Sequence, residues 1–381
     1  MSTLTERDRY EWRVGDDSDP IGGLAAFLGH YGLPVGDLTA ATTGRRVRSR
    51  YLAGVLIGGA AGAVAVGAEP GAPSPCPDVP DVVAVIYDRD GRGGDIAAPA
   101  GSQPRPTSSW CCTEWHGSWS DTAHATAVAR VRDAIAVGDV YQVNVVGHRA
   151  ARYRGDPIPA LRALTRLPGA VYGGGLSGDG WVVATASPES LVTVTDGVVA
   201  TRPIKGTRPA TPAGRRELLS DPKERAEHVM IVDLARNDLS RIAEIGTVGV
   251  HRLFQPREWC GLWQAETTVS ARLRAGTGLA ELLRAVLPGG SVTGAPKLAA
   301  VAHIAALEPV GRGPAMGALG VITGRRVELG LTIRTVAADR QRLHLWAGGG
   351  VTWGSDPTAE VAEAHAKAAP LLAALRSTPA W

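Results

Sequence analysis

The chain has 381 residues, of which 44% are hydrophobic and 20% are charged, and its formal net charge is +3. These values are typical of a soluble globular protein with a substantial core, and the small net charge argues against a nucleic-acid-binding protein. The four cysteines have neither a zinc-site spacing nor a disulfide-framework spacing, which fits a reducing cytoplasm. The polar first residues do not resemble a signal peptide.

An uncharged segment runs from Tyr51 to Ala68, directly after the basic stretch RRVRSR. A single membrane anchor is one interpretation of this segment. Eleven of its 18 residues are alanine or glycine, so it is only weakly hydrophobic for a membrane span. We therefore expect one or two buried strands with a glycine turn at Gly58 and Gly59.

Further along the chain, a loop is expected at 69–80, followed by a strand in DVVAVIYDRD. Residues 92–120 are rich in Gly, Pro, Ser and Trp and have no helical period, which indicates a linker or a long surface excursion. A helix is predicted in ATAVARVRDAIAVG, residues 125–138, ending at a Gly138 cap, and others are predicted at about 222–236, 296–307 and 357–376.

Strands are predicted in YQVNVVGHRA and in WVVATASPESLVTVTDGVVATRPI, with a hairpin turn at Asp196 and Gly197. The last strands are expected in PAMGALGVI, VELGLTIRTVAAD and RLHLWAGGGVTW. Because strands come in hairpins, the sheets should be largely antiparallel with helices packed outside, an α+β fold. We divide the chain into an N-terminal region at 1–105, a linker at 106–120 and a main domain at 121–376.

Two of the predicted helices begin with the same pattern, an aspartate that can cap the helix followed by proline. Each then carries two glutamates three residues apart, which project from one helix face: Glu224 with Glu227, and Glu360 with Glu363. Carboxylate oxygens alone suit Mg²⁺. Two solvated helix faces, with Lys367 pairing to Glu363, are the alternative, and spacing alone favours that alternative.

Five segments resemble, in this order, motifs of the chorismate-utilising enzymes: TRPIKGTRPA, DPKERAEHVMIVDLARNDLSRI, PGGSVTGAPKLAAVAHIAALEPVGRGP, LTIRTVAA and AGGGVTWGSDPTAEVAEAHAKA. The family includes anthranilate, aminodeoxychorismate, isochorismate and salicylate synthases, and the resemblance is greatest to component I of aminodeoxychorismate (para-aminobenzoate) synthase. It covers about 121–375, whereas 1–105 resembles a shortened form of the family's N-terminal region. It implies two large, mostly antiparallel sheets with helices outside, and a chorismate-binding catalytic domain at 121–376.

The resemblance also implies a magnesium site and a substrate pocket. Glu227 and Glu363 match the direct Mg²⁺ ligands, and Glu224 and Glu360 match acids that hold the metal's waters. Mg²⁺ would clamp the ring carboxylate of chorismate. Arg334 matches the arginine that grips the enolpyruvyl carboxylate. The remaining implied substrate-binding positions are Gly206, Thr207, Ser291, Gly348, Gly350 and Lys367.

Lys205 is the position that separates activities within the family. PIKGT resembles aminodeoxychorismate synthases, whereas anthranilate synthases usually have PIAGT, and the implied role of Lys205 is that of a covalent nucleophile. Contact with a substrate carboxylate is the alternative role. Isochorismate and salicylate synthases place a lysine where this chain has Gln142 and Val143, which argues against water as the nucleophile.

Three departures from the family pattern put turnover in question. Gln264 replaces a histidine thought to assist departure of the C4 hydroxyl, and glutamine cannot transfer a proton as an acid. A family tyrosine is missing near Ala315, and Gly147 and His148 replace a common Gln-Arg pair. The outcome could be a slower ordinary enzyme, an altered specificity, or a paralogue that binds chorismate without catalysis.

The sequence thus predicts a cytoplasmic, Mg²⁺-dependent transferase that makes 4-amino-4-deoxychorismate from chorismate and ammonia. A separate glutamine amidotransferase would supply the ammonia, and neither nucleic acid nor membrane is expected as a partner. Anthranilate synthase and aminodeoxyisochorismate synthase are the alternative activities. Whether the product enters folate biosynthesis or a specialised metabolite is left open.

Overall fold

The protein is described by a computed structural model, covering residues 4–39, 50–88 and 110–376. Its helices in these ranges are α1 (Pro20–His30), α2 (Gly59–Val64), α3 (Asp121–Ala136), α4 (Ile158–Leu164), α5 (Pro212–Ser220), α6 (Pro222–Ser240), α7 (Leu279–Val286), α8 (Lys297–Leu307) and α9 (Pro357–Ala374). The first nine strands are β1 (Thr5–Trp12), β2 (Tyr51–Ile57), β3 (Val82–Asp88), β4 (Cys111–Cys112), β5 (His116–Gly117), β6 (Gln142–Arg154), β7 (Tyr172–Gly178), β8 (Trp181–Ser187) and β9 (Ser190–Thr195). The other nine are β10 (Val198–Arg202), β11 (Ile204–Pro209), β12 (Gly249–Trp259), β13 (Leu262–Arg272), β14 (Gly294–Ala295), β15 (Ala318–Thr323), β16 (Arg326–Leu331), β17 (Thr335–Ala338) and β18 (Arg342–Val351).

The strands form two large antiparallel sheets, which confirms the predicted fold class. The first sheet has the order β1-β3-β2-β15-β16-β9-β10-β13-β11, and β12 also pairs with β13. The second has the order β14-β6-β18-β17-β8-β7, and the short strands β4 and β5 also pair with β6. One hydrophobic cluster includes side chains of both sheets, among them Leu56 and Leu329 of the first and Val183 and Trp346 of the second.

The uncharged segment after Arg50 is buried, as predicted, but only its first half is a strand. β2 ends at Ile57, and α2 begins at Gly59. The expectation of a second strand was wrong, since a short run of alanine and glycine has no period that separates a strand from a buried helix. Among the described residues, no helix is long and apolar enough to cross a membrane.

The N-terminal strands share a sheet with strands from the second half of the chain. β2 pairs with β15 from Leu52 to Ile57, and β3 pairs with β2. The predicted boundary at residue 105 lies outside the described residues. The described part of the predicted linker contains β4 and β5, which hydrogen bond to β6.

The predicted helices and hairpin are present with small changes in their ends. α6 extends to Ser240, beyond the predicted 236, and α8 and α9 lie where expected. After α3, Gly138 has a φ of 86°, and its N–H donates to the Ile135 carbonyl at 3.1 Å. This is the glycine cap that the sequence predicts. Asp196 and Gly197 connect β9 and β10.

The predicted strand VELGLTIRTVAAD is in fact two strands in different sheets. β16 belongs to the first sheet and β17 to the second. Arg334 lies in the break and has a φ of 53°, an uncommon conformation for a residue other than glycine. The change of sheet is produced by tertiary packing, so the apolar pattern could not reveal it. It places Arg334 at the position where the two sheets meet.

Candidate active site

An open cleft lies among β11, β18, α6 and α9. The structure brings together in its wall all thirteen residues that the sequence analysis assigned to a site: Lys205, Gly206, Thr207, Glu224, Glu227, Gln264, Ser291, Arg334, Gly348, Gly350, Glu360, Glu363 and Lys367. They come from both sheets and from two helices far apart in the chain. Their chemical roles remain predictions.

The helices α6 and α9 present their paired glutamates to this cleft. Each helix start is fixed by its aspartate cap: the Asp221 carboxylate accepts from the Lys223 N–H at 2.9 Å, and that of Asp356 accepts from the Ala359 N–H at 2.9 Å. All four glutamates are half-buried and line the cleft. The glutamates are therefore not on fully solvated helix faces, although the Lys367–Glu363 pair of that alternative is present.

Cations and hydroxyl groups surround the acids. Glu227 accepts from the Thr352 hydroxyl at 2.6 Å and lies 3.4 Å from Lys205 Nζ. Glu363 contacts Lys367 Nζ at 2.7 Å and accepts from the Thr207 hydroxyl at 3.1 Å. These groups hold the carboxylates in fixed positions facing one another.

The acids respond differently to this environment. Burial raises the pKa of Glu360, and the charge of Glu363 adds to the effect. Burial also raises the pKa of Glu224, against the opposing charge of Arg208 at 2.8 Å. For Glu363, burial is outweighed by Lys367 and Lys205, which lower its pKa to about 2. The cluster thus carries negative charge at neutral pH, and its members repel one another.

This donor set fits the implied metal. Mutually repelling carboxylates with nearby hydroxyl oxygens favour a hard divalent cation such as Mg²⁺, and the described residues of the wall include no cysteine or histidine. A cation would also reduce the repulsion that raises the pKa of Glu224 and Glu360. Which acids touch the metal stays a prediction.

Arg334 supplies a buried positive charge at the other side of the cleft. Its side chain is 6% exposed, and its guanidinium carbon lies 4.5 Å from the centre of the Trp259 ring. Burial lowers its pKa to about 10, so it stays cationic at neutral pH. Within the described part of the chain, its Nε has no hydrogen-bond partner. A substrate carboxylate would neutralise the buried charge and accept a hydrogen bond from Nε.

Glycine at 350 keeps the space in front of Lys205 open. A Cβ atom built on Gly350 would lie 2.7 Å from Lys205 Nζ and 2.9 Å from Gln142 Nε2. Lys205 and Gln142 therefore approach the same point of the β18 backbone. Gln142 is 0% exposed, and in the described ranges neither polar atom of its side chain has a partner.

Glu189 is a cleft residue that sequence reasoning missed. It follows β8 in the segment SPES, which was interpreted only as a turn, and it is 3% exposed. The Ser291 hydroxyl donates to its carboxyl group at 2.6 Å. Burial raises its pKa from 4.5 to about 7. The only sequence signal was an acid between two strongly apolar strands.

The three departures from the family pattern lie in different places. Gln264 is 4% exposed and lines the cleft next to Ala265, the residue that pairs with Lys205. Near the missing tyrosine, Met316 lines the cleft and Ala315 is buried behind it. His148 does not line the cleft; it packs against His344 and Trp346. Of these positions, only Gln264 and Met316 line the cleft and can touch a substrate directly.

The chain belongs to the chorismate binding enzyme family, whose sequence model matches residues 95–373. It is 39% identical over 298 residues to anthranilate synthase component 1 of Streptomyces coelicolor, covering 74% of this chain and 58% of that protein. It is 38% identical over 270 residues to aminodeoxychorismate synthase component 1 of Klebsiella aerogenes, covering 69% and 60%. The chain thus spans about six tenths of the length of these curated relatives.

Solved structures of the family have the same fold. Anthranilate synthase component I from Streptococcus pneumoniae superimposes with a TM-score of 0.77 at 25% identity, covering 97% of this chain and 91% of that chain. The menaquinone-specific isochorismate synthase from Escherichia coli superimposes with a TM-score of 0.66 at 16% identity, covering 98% and 96%. The second similarity concerns the fold alone.

Proposed function

We propose that this protein replaces the C4 hydroxyl group of chorismate with an amino group from ammonia, giving 4-amino-4-deoxychorismate. The observation that carries this proposal is the position of Lys205. Its primary amine lies in one cleft with four carboxylates and the buried cation Arg334. A substrate held between those charges would have its ring beside a potential nucleophile.

Chorismate carries two carboxylates, and the cleft has two places suited to them. Arg334 would bind the enolpyruvyl carboxylate as a planar, bidentate donor. Glu227 and Glu363 would hold Mg²⁺ directly, with Glu224 and Glu360 acting through water. The metal would offset the charge of the ring carboxylate. The Lys367 ammonium lies beside Glu363 and also donates to the Gly348 carbonyl at 2.9 Å. It would therefore place a further positive charge near the ring carboxylate.

The reaction would proceed in two displacements. The Lys205 nitrogen bonds to ring C2 and gives up a proton, the two conjugated ring double bonds shift toward C4, and the C4 hydroxyl takes a proton and leaves as water. Ammonia then bonds to C4 and loses a proton, both double bonds return to their original positions, and the C2–nitrogen bond breaks as the departing Lys205 nitrogen takes up a proton. The sum is chorismate plus ammonia giving aminodeoxychorismate plus water, without oxidation. Covalent catalysis divides one difficult displacement into two easier ones.

The departing hydroxyl needs a proton, and Glu189 is suited to supply it. With a pKa near 7, its buried carboxyl group retains a proton close to neutral pH. A general acid works best when its pKa lies near the operating pH. Gln264 could donate a hydrogen bond to the same hydroxyl but could not transfer a proton.

Ammonia would come from a separate glutamine amidotransferase subunit. The names of the relatives as component 1 of two-component synthases support this partner. Gln142 supports ammonia rather than water as the second nucleophile, since an amide cannot act as a base toward water as a lysine can.

Anthranilate synthesis is the second candidate, and the 39% identity to an anthranilate synthase component favours it. That reaction places the amino group at C2 and then expels pyruvate. A covalent lysine at C2 would block that route. Lys205 is therefore the residue that favours aminodeoxychorismate.

One assay separates these reactions. The purified chain is incubated with chorismate, MgCl₂ and an ammonium salt, and the products are identified by mass spectrometry. We expect a product that retains the enolpyruvyl group and carries nitrogen at C4, absent when EDTA is added. Anthranilate with pyruvate would support the second candidate, and unchanged chorismate at high enzyme concentration would support a non-catalytic paralogue.

A further inference from the structure

A second cluster of potential metal ligands lies away from the cleft. Cys76 lies in the loop between α2 and β3, Asp339 in the turn between β17 and β18, and His344 in β18. One ligand atom from each residue lies within 4.8 Å of the other two. Cys76 is 0% exposed and His344 is 1% exposed, whereas Asp339 is only half-buried. None of the three lines the chorismate cleft.

The chemistry of these three atoms selects one kind of ion. A thiolate, an imidazole nitrogen and a carboxylate oxygen together are typical ligands of Zn²⁺. Mg²⁺, the ion suited to the cleft, prefers oxygen ligands only. We propose that Cys76, Asp339 and His344 bind a zinc ion, with water completing a tetrahedral site at the exposed side of Asp339.

Hydrogen bonds behind the ligands hold two of them in place. His344 Nδ1 lies 3.1 Å from His148 Nε2, and His148 Nδ1 lies 2.6 Å from the Ser118 hydroxyl. One Asp339 oxygen accepts from the N–H groups of Gln341 and Arg342, at 2.7 Å each. Such outer contacts orient histidine and carboxylate ligands in zinc proteins.

The remaining atoms of both residues face each other. The second Asp339 oxygen lies 3.0 Å from His344 Nε2. If His344 donates from Nδ1 to His148, its Nε2 presents a lone pair to a carboxylate. A cation bound by both atoms would stabilise that arrangement, and the Cys76 sulfur is placed to be its third ligand. In the opposite tautomer Nε2–H donates to Asp339, and the cluster needs no metal.

The site would connect the two sheets. Cys76 lies in the loop that leads into β3 of the first sheet, and the other two ligands belong to the β17–β18 hairpin of the second. Bound zinc would then stabilise the folded state without entering the reaction, because the unfolded chain does not hold these three positions together.

The test uses the intact chain loaded with Zn²⁺ and then dialysed without chelator. We expect about one zinc per chain by elemental analysis in the unmutated protein and in Cys111→Ser, a control at an exposed cysteine. Cys76→Ser should lose at least about nine tenths of that zinc. No retained zinc in the unmutated chain, or equal zinc in Cys76→Ser, would overturn the proposal.

Cobalt substitution separates this site from the carboxylate cleft. Co²⁺ bound to a thiolate gives an intense near-ultraviolet charge-transfer absorption that carboxylate ligands alone do not give. This band should be present in the unmutated chain, remain in Glu363→Gln and disappear in Cys76→Ser, whose folding is checked by circular dichroism. A band that survives in folded Cys76→Ser would contradict the proposed site.

Discussion

At the scale of single residues, Arg334 shows how packing holds a charge ready for a ligand. Trp259 lies under its guanidinium group, and the Trp259 indole N–H donates to the Ala186 carbonyl at 2.8 Å. The Ala186 N–H in turn donates to the Arg334 carbonyl at 3.0 Å. These contacts fix the backbone and the guanidinium group of Arg334 despite its positive φ. Binding of a carboxylate therefore costs little conformational entropy at this residue.

Arg334→Lys tests this residue. A lysine ammonium cannot reproduce the planar fork or its stacking on Trp259, so we expect chorismate affinity to fall roughly 10- to 100-fold. Titration calorimetry measures the change, with Arg325→Lys as the same substitution at an exposed position. Unchanged affinity in Arg334→Lys would remove this residue from the substrate site.

Glu189 makes a pH-dependent contribution to stability. In the folded chain the pKa of Glu189 is raised from 4.5 to about 7. Between these two pH values the folded chain holds a proton on Glu189 that the unfolded chain has released. The resulting stabilisation is fully present below pH 4.5 and is lost as pH rises through about 7. Glu189→Gln keeps the shape but cannot ionise. Its free energy of unfolding, measured in urea, should therefore rise relative to the unmutated protein between about pH 5 and about pH 8. A constant difference would contradict the raised pKa.

Gln264 can be converted to the residue usual in the family. If proton transfer at this position limits turnover, Gln264→His should raise the rate, and general acid assistance is typically worth about 10²- to 10⁴-fold. Steady-state kinetics with ammonium as the nitrogen source measures this, and Gln255→His at an exposed position of β12 is the control. No gain in an active enzyme would show that another group or another step limits.

At the scale of secondary-structure elements, α6 and α9 follow from local signals in the sequence. In both, an aspartate cap and a following proline mark the start, and the glutamate spacing fixes which side chains share a face. The same local reasoning gave a wrong prediction of one strand over 327–339, because nothing in the apolar pattern marks the change of sheet at Arg334. Glu189 escaped notice for a related reason, since its burial comes from Ser291 and other residues distant in the chain.

The two helices carry a prediction about the metal. Glu363→Gln and Glu227→Gln should each abolish Mg²⁺-dependent chorismate binding, because each removes a charged ligand. Glu224→Gln and Glu360→Gln should have milder effects, and Glu217→Gln on the exposed face of α5 should have none. Calorimetric Mg²⁺ titration with chorismate present measures all five variants. An unchanged titration in Glu363→Gln would contradict the metal assignment.

At the scale of the whole molecule, the cleft exists only because two sheets and two helices converge. Its wall is drawn from residues between Asn144 and Lys367. Sequence spacing placed neighbouring acids together, but family resemblance was needed to join α6, α9, Lys205 and Arg334 into one site. The Cys76 cluster shows the limit of spacing more sharply, since its ligands come from positions 76, 339 and 344 and no cysteine pattern could bring them together.

The covalent role of Lys205 is the central claim, and one measurement tests it most directly. The unmutated enzyme is mixed with chorismate and Mg²⁺ without ammonia, quenched, digested and examined by peptide mass spectrometry. We predict an adduct on the peptide containing Lys205, and loss of that adduct and of activity in Lys205→Arg, because arginine cannot act as the nucleophile at neutral pH. Lys297→Arg, which keeps a charge beside Asp238 outside the cleft, should retain both. An active Lys205→Arg enzyme, with no adduct in the unmutated protein, would contradict the covalent mechanism.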